Sequence, residues 1–71
     1  MWLMEKVPTF LNGVCVEAKP GFFMPFVYAM VERTWFDAEG YEWVEVGHGV
    51  SRMSIPPSKL QVYPGRKSNV R

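Results

Sequence analysis

The sequence predicts an all-β fold, a five-stranded antiparallel barrel with a short 3-10 turn before its last strand. First, residues 41–46 read Tyr-Glu-Trp-Val-Glu-Val and alternate with the two-residue period of a strand between glycine turns. Second, the other apolar runs are rich in β-branched and aromatic residues and are bounded by proline or glycine. Third, 71 residues suffice for one small domain. We take residues 41–46 as the central strand.

The first strand is predicted over residues 10–18, with Val14 and Val16 on one side. Residues 19–21, Lys-Pro-Gly, form a turn because proline and glycine supply its special backbone angles. An unusually apolar loop, residues 22–25, follows this turn.

The longest apolar run, residues 26–35, permits either a helix or a strand. It contains four good helix formers, Ala29, Met30, Glu32 and Arg33. Its β-branched and aromatic content, together with the flanking Pro25 and Gly40, favours a strand. One face of that strand would then carry Val27, Ala29 and Val31.

The remaining elements follow from glycine and proline. Residues 36–40 are predicted to form a hairpin loop, and residues 47–49 a tight turn into a strand over 50–55. The Pro-Pro pair in residues 56–60 lacks backbone donors, so this segment is predicted to form a 3-10 turn. Residues 61–63 are the last short strand.

We therefore expect three parts in the chain. Residues 1–8 form an N-terminal arm, residues 9–64 the barrel, and residues 65–71 a disordered basic tail. The arm contains Trp2 and Leu3, whose apolar side chains we expect to lie across the barrel or a neighbouring subunit.

Composition limits the chemistry. Cys15 is the only cysteine and His48 the only histidine, so neither an internal disulfide nor a zinc cluster is predicted, and we expect no cofactor or metal. The net charge is +1, with three cations and no acid in the last seven residues. No signal core and no apolar run of about 18 residues occurs, which favours a cytoplasmic protein and no membrane contact.

The aromatic content exceeds what so small a barrel can bury. Eleven rings occur in 71 residues, and 48% of the chain is hydrophobic. A domain of this size has a thin core and marginal stability without some supplement. Surplus rings therefore predict an exposed working surface, an oligomer interface, or both.

The order of the predicted elements resembles the SH3-like small barrel. Residues 55–62, Ile-Pro-Pro-Ser-Lys-Leu-Gln-Val, are similar to the closing turn and last strand of that superfold, and the likeness covers residues 12–63. The loop at residues 19–25 lacks the acids and tyrosines of the eukaryotic peptide-binding SH3 domains. The resemblance therefore implies an architecture and no particular ligand.

A second resemblance is to the plasmid-borne type II dihydrofolate reductases, SH3-like tetramers with a shared pore. It rests on Glu-Gly-Tyr at residues 39–41 and on a later strand that ends in a proline turn. That family has Gln-Ile-Tyr before its proline, whereas Met-Ser-Ile at residues 53–55 precedes Pro56 here. The reductase activity is not implied, but assembly of small barrels has a precedent.

Two loops carry the candidate binding residues. In an SH3-like barrel they would stand side by side, so their rings are expected to form one patch for a protein or peptide partner, or for a second copy of the chain. The predicted partner-binding residues are Phe22, Phe23, Tyr28, Trp35, Phe36, Tyr41 and Trp43. Base stacking and a methyl-lysine cage are alternative uses of such rings.

The alternative function is a small nucleic-acid-binding regulator, in which rings stack bases and the tail residues Arg66, Lys67 and Arg71 contact phosphates. A third hypothesis places an active site in a symmetric pore, with Arg52 and Ser54 as its polar groups. The sequence predicts no catalytic residue with a motif of its own. The favoured interpretation is a non-catalytic interaction module.

Overall fold

The computed structural model describes residues 6–64, and these form an all-β fold. The predicted tail, 65–71, and residues 1–5 of the predicted arm lie outside that range. Five antiparallel strands and one 3-10 turn are present: β1 Cys15–Ala18, β2 Ala29–Phe36, β3 Glu42–His48, β4 Ser51–Ile55, the 3-10 turn Pro57–Lys59 and β5 Leu60–Val62. The predicted all-β class, the five antiparallel strands and the turn before the last strand are confirmed.

The strands form one sheet in the order β4-β3-β2-β1-β5. The middle strand is therefore β2, and the predicted central strand, β3, lies one place to its side. Each of β1 to β4 pairs with its neighbour in sequence, and the last strand, β5, pairs with β1. A pairing of this kind brings the end of the described chain beside its first strand.

The longest apolar run, whose sequence was compatible with either a helix or a strand, forms a strand from Ala29 onward. Residues 29–36 pair with β3 along almost their whole length, which satisfies their backbone groups in a ladder. The pairing contains a β-bulge between Val31 and Arg33. Glu32 is therefore an extra residue in β2 that has no paired residue in β3. The alternation of side chains between the two faces of the sheet changes phase at this point.

The core lies on one face of the sheet. Eight buried side chains form it: Phe10, Val16, Ala29, Val31, Val44, Val46, Ile55 and Leu60. The predicted alternation is correct for β3 and for the inward pair Ala29 and Val31. Val27, predicted on the same face, is 77% exposed because it precedes β2 and lies in an irregular segment.

The first strand is shorter than predicted. Gly13 takes a φ of 90°, a left-handed conformation that glycine adopts readily, and this turn separates Phe10 from β1. The Gly13 amide donates to the Val31 carbonyl at 2.8 Å, and the Val31 amide donates to the Val14 carbonyl at 2.9 Å. The segment before β1 thus stays bound to β2 while Phe10 packs into the core.

Candidate functional site

Most aromatic rings lie outside the buried core. Of the ten rings in residues 6–64, only Phe10 belongs to it, while Phe22 and Phe26 pack against its margin. The expected surplus of exposed and half-exposed rings is therefore present. These rings form two separate sets, and within the described residues no ring–ring contact joins them.

The first set, the ring stack, comprises Phe26, Tyr28, His48 and Tyr63. The Phe26 ring stacks on His48 with centroids 5.4 Å apart, and the Tyr28 ring meets His48 edge to face at 5.6 Å. Tyr28 also stacks on Tyr63 at 4.9 Å. Because these rings contact one another, the predicted site residue Tyr28 is part of a structural contact that joins the first loop to the end of β3 and to the residue after β5.

The two other rings of the first loop differ from each other. Phe22 is half-buried against the core, with Lys59 Nζ 5.8 Å from its ring centroid. Phe23 is 84% exposed. Of these two predicted site residues, Phe23 alone offers a free surface.

The second set lies on the outer face of the β2–β3 hairpin. Trp35 and Trp43 are directly opposite each other in the ladder, because the bulge brings Trp35 to the side of the sheet away from the core. The Arg33 guanidinium lies 4.5 Å from the Trp35 ring centroid and pairs with Glu45 at 2.6 Å. Trp35 is thus covered on one side by a cation.

Asp37 fixes the orientation of Trp43. Its Oδ2 accepts a hydrogen bond from the Trp43 indole nitrogen at 2.9 Å, and its Oδ1 accepts from the amides of Glu39 and Tyr41, also at 2.9 Å. The Trp43 bond foremost, and then the backbone bonds, hold the pKa of Asp37 below its ordinary value of 3.8 although desolvation acts against them. The carboxylate therefore stays ionised and keeps the indole in place.

Beside Trp43 lies an apolar cleft of about 270 Å³, the proline cleft, lined by Tyr41, Glu42, Trp43, Pro56, Pro57 and Ser58. The β3–β4 ladder ends at the pair Val44 and Ile55. The two prolines follow β4 directly. They lack backbone donors, so the ladder ends there and the chain enters the 3-10 turn. The cleft is the gap left where the ladder stops.

Three acidic residues lie in or just before the wall of the proline cleft that β3 forms. Glu39 is exposed in the hairpin loop next to Tyr41, and Asp37 is in the same loop. The Glu42 carboxylate is engaged, since Thr9 donates to it from both its amide and its hydroxyl at 2.8 Å.

The predicted patch is therefore divided. Tyr41 and Trp43 line the proline cleft, and Trp35 lies beside Trp43. Phe36 opposes Glu42 on the core side of the hairpin, with Lys6 Nζ 5.3 Å from its ring centroid. The sequence reasoning missed the other wall of the cleft. The Pro-Pro pair was the available signal, but it was interpreted only as a turn.

A second, more open cleft of about 410 Å³ crosses the other half of the sheet. It is lined by Gly13, Val14, Cys15, Met30, Val62 and Tyr63. Cys15 and Met30 oppose each other in the ladder, and Cys15 is half-buried. Within residues 6–64 no group of three or more histidine, cysteine or acidic residues could hold a metal ion.

Comparisons with family models, curated proteins and solved structures found no match to this chain. No helix in residues 6–64 is long and apolar enough to cross a membrane. A functional interpretation therefore depends on the geometry of the molecule, in which the proline cleft combines an apolar surface, ordered walls and nearby acidic charge.

Proposed function

We propose that the protein is a small non-catalytic interaction module that binds an extended segment of a protein partner in the proline cleft and also self-associates. The supporting observation is the cleft itself, an apolar gap between Tyr41 and Trp43 on one wall and Pro56 and Pro57 on the other. Its volume of about 270 Å³ lies just below the range of about 300–1,000 Å³ typical of small-molecule pockets. Such a cleft accommodates one or two side chains of a peptide.

The walls of the cleft are ordered before any ligand arrives. The backbone of Trp43 is paired with Trp35 in the β2–β3 ladder, and its indole nitrogen donates a hydrogen bond to Asp37. Proline rings fix the backbone φ of the opposite wall. A preformed site loses less conformational entropy on binding, which favours affinity from a small contact area.

The surrounding charge indicates which peptides fit best. Glu39 is exposed in the hairpin loop that precedes Tyr41, and the pKa of Asp37 in the same loop is held below its ordinary value, so the Asp37 carboxylate is ionised at neutral pH. Opposite charge across a contact raises the association rate and selects the partner. We therefore expect an apolar segment next to a lysine or arginine.

The SH3-like architecture is part of this proposal. The strand order, the bulge in β2 and the 3-10 turn before β5 are compatible with such a barrel. Self-association is supported by exposed apolar side chains such as Met30 and Val62, which border the second cleft. Assembly of the type II reductases is a precedent for small barrels covering surplus apolar surface in this way. We propose a cytoplasmic location, where a free Cys15 is typical.

Selection from a displayed random peptide library on the immobilised protein tests peptide binding. We expect selected peptides to combine a bulky apolar residue with a basic neighbour and to bind at micromolar affinity. A single-stranded oligonucleotide is tested in parallel at low and moderate salt. Strong, salt-sensitive oligonucleotide binding without peptide binding would overturn this proposal in favour of the alternative that uses Arg66, Lys67 and Arg71, which lie outside the described residues.

Three substitutions of exposed residues localise the binding. Tyr41 is 65% exposed and lines the cleft, so Tyr41→Ser is expected to weaken a selected peptide about tenfold or more. Val50 is 99% exposed in the β3–β4 turn, and Val50→Ser is the matched control with unchanged affinity. Phe23→Ser tests whether the first loop contributes. Equal affinities for the Tyr41 and Val50 variants would contradict binding in the cleft.

A further inference from the structure

Two aromatic rings and an acidic residue line the proline cleft. The rings belong to Tyr41 and Trp43, the acid is Glu42, and two proline rings form the opposite wall. We infer that the cleft holds the side chain of a trimethylated lysine on a partner protein. Such a side chain combines in one residue the apolar surface and the positive charge that the proposed function divides between two neighbours. The inference rests on the proposed function, because it names the ligand chemistry of the same cleft.

The chain supplies a cation to several of its rings but not to the two rings of the cleft. Within residues 6–64, a lysine or arginine lies over the rings of Phe22, Trp35 and Phe36. No such contact in this range involves Tyr41 or Trp43, and Tyr41 is 65% exposed. A cation within about 6 Å of a ring centroid is attracted by the negative face of the ring. The cleft rings can therefore take a cation from a partner.

Asp37 strengthens the aromatic wall. Its Oδ2 accepts the hydrogen bond of the Trp43 indole nitrogen at 2.9 Å, and this bond is the main cause that holds the pKa of Asp37 below its ordinary value. A charged acceptor at the indole nitrogen polarises the ring system and makes its face more negative. Among the aromatic side chains, tryptophan already attracts cations most strongly. The bond therefore favours a cationic occupant over a neutral one of the same shape.

The charges at the cleft are complementary to a cation. Among the described residues that line it, Glu42 is charged and no lysine or arginine is present. The cations of Lys6 and Lys59 lie over rings that do not line the cleft. Arg33, on the neighbouring strand, is paired with Glu45 at 2.6 Å. A positively charged ligand therefore meets an acidic side chain in the cleft and no cation of the chain within its lining.

The cleft offers few acceptors to an unmodified lysine. An ammonium group carries three N–H donors and is strongly hydrated, so its burial is costly where those donors stay unpaired. Both Glu42 oxygens already accept from Thr9 at 2.8 Å, and Ser58 adds one hydroxyl. Three methyl groups remove the donors, keep the charge and present an apolar surface to the proline rings. The trimethylated form therefore suits both walls.

Titration with matched small probes tests the inference. The probes are the Nα-acetyl methylamide of trimethyllysine, the same compound of unmodified lysine, and the neutral analogue in which carbon replaces the ammonium nitrogen. The Trp43 indole signal in ¹H–¹⁵N spectra of the full chain reports binding. We expect the trimethyl probe to bind about fivefold or more tightly than either of the others. Equal or weaker binding of the trimethyl probe, or no shift with it at about 50 mM, would overturn the inference.

Substitutions of Tyr41 separate ring chemistry from apolar contact. Tyr41→Phe keeps the ring and should keep the preference for the trimethyl probe over the carbon analogue. Tyr41→Leu keeps an apolar side chain without a π-face, so this preference should fall about threefold while the carbon analogue binds as before. Val50→Leu is the control at an exposed residue and should change neither affinity. An unchanged preference in Tyr41→Leu would contradict recognition by the ring.

Choline distinguishes a protein side chain from a free small molecule, because it has the same trimethylammonium group without the lysine stem. We expect choline to bind more weakly than the trimethyllysine probe, whose stem adds apolar contact with the cleft walls. Tighter binding of choline would overturn the assignment to a lysine side chain, since the ligand would then be a free quaternary ammonium compound.

The inference and the proposed function fail in different ways. If library peptides bind in the cleft but the trimethyl probe shows no preference over its carbon analogue, the inference fails and the peptide-binding function stands. If the trimethyl probe binds with its preference, but neither a library peptide nor a peptide that contains trimethyllysine binds more tightly than the probe alone, the cleft recognises the ammonium group only. The proposed binding of an extended segment then fails.

Discussion

At the scale of single residues, Asp37 connects turn chemistry to the cleft. Its two oxygens receive three hydrogen bonds, from two backbone amides of the loop and from the Trp43 indole. An aspartate at the start of a turn commonly bonds the amides that follow it. The sequence indicated a loop acid, but it did not indicate that the same carboxylate also orients a tryptophan six residues away.

Substitution of Asp37 is expected to make stability less dependent on pH. The folded-state pKa of Asp37 is below its ordinary value of 3.8, so its stabilising effect is complete above about pH 4 and is lost as the pH falls through the folded-state value. Asparagine has one accepting oxygen where aspartate has two, so Asp37→Asn cannot accept the indole bond on one oxygen and the backbone bonds on the other. The difference in unfolding free energy between the two proteins should shrink below about pH 4. A constant difference down to pH 2 would contradict the assigned role.

Gly47 allows two side chains to cross the outer face of β3. A Cβ at this position would lie 2.7 Å from Glu32 Oε2 and 2.9 Å from Arg52 Nη1, so those side chains would have to move. Their ion pair, at 3.7 Å, is exposed and contributes about 0–1 kcal/mol. The space above Gly47 is therefore occupied by a weak surface interaction.

Gly47→Ala is expected to change the unfolding free energy by about 1 kcal/mol or less, because alanine is better than glycine in a strand by about 0.5–1 kcal/mol. In the background Glu32→Ala/Arg52→Ala the same substitution should stabilise by that amount. Chemical denaturation of the four proteins measures the coupling. Equal effects in both backgrounds would show that the two side chains do not limit position 47.

At the scale of elements, the bulge in β2 decides which rings meet. Unbroken alternation along residues 26–35 predicts the inward face of Ala29 and Val31 correctly but places Trp35 inward as well. The extra residue at Glu32 reverses the phase, and Trp35 then opposes Trp43 on the outer face. A bulge depends on the pairing of two strands, so the sequence of one strand does not reveal it. The strands were therefore predictable, whereas the pairing of Trp35 with Trp43 was not.

The arm is expected to depend on Glu42. Glu42→Ala removes both acceptors of Thr9 and should lower the unfolding free energy by about 1–3 kcal/mol, because charge-assisted hydrogen bonds would be lost and Phe10 loosened. Glu45→Ala is the matched control on the same strand. It removes only the surface pair with Arg33, worth about 0–1 kcal/mol. Thermal and denaturant unfolding measure both, and an equal loss in the two variants would contradict the anchoring role.

At the scale of the whole molecule, the core is small and almost entirely aliphatic. Within residues 6–64, eight side chains are buried, and Phe10 is the one aromatic residue among them. The aromatic surplus was predictable from composition, because a sheet of this size has little interior. The division of the rings between the ring stack and the proline cleft was not predictable from composition. It depends on the bulge in β2, on the end of the β3–β4 ladder at Ile55 and on the contacts of His48.

Self-association is expected at high micromolar concentration. Met30 and Val62 are exposed at the second cleft, and covering them in an interface removes apolar surface from water. Met30→Ser/Val62→Ser should lower the average molar mass measured by sedimentation equilibrium, whereas Val50→Ser should not. A monomeric intact protein at these concentrations would remove self-association from the proposed function.

The most direct test of the account is to observe where a selected peptide binds. A series of ¹H–¹⁵N correlation spectra during titration reports every backbone amide and indole group separately. The account predicts that the largest shifts occur at Tyr41, Glu42, Ser58 and the Trp43 indole, with small changes at Cys15, Met30 and Val62. Shifts centred on those last three residues, or no shift at the Trp43 indole at saturation, would contradict it.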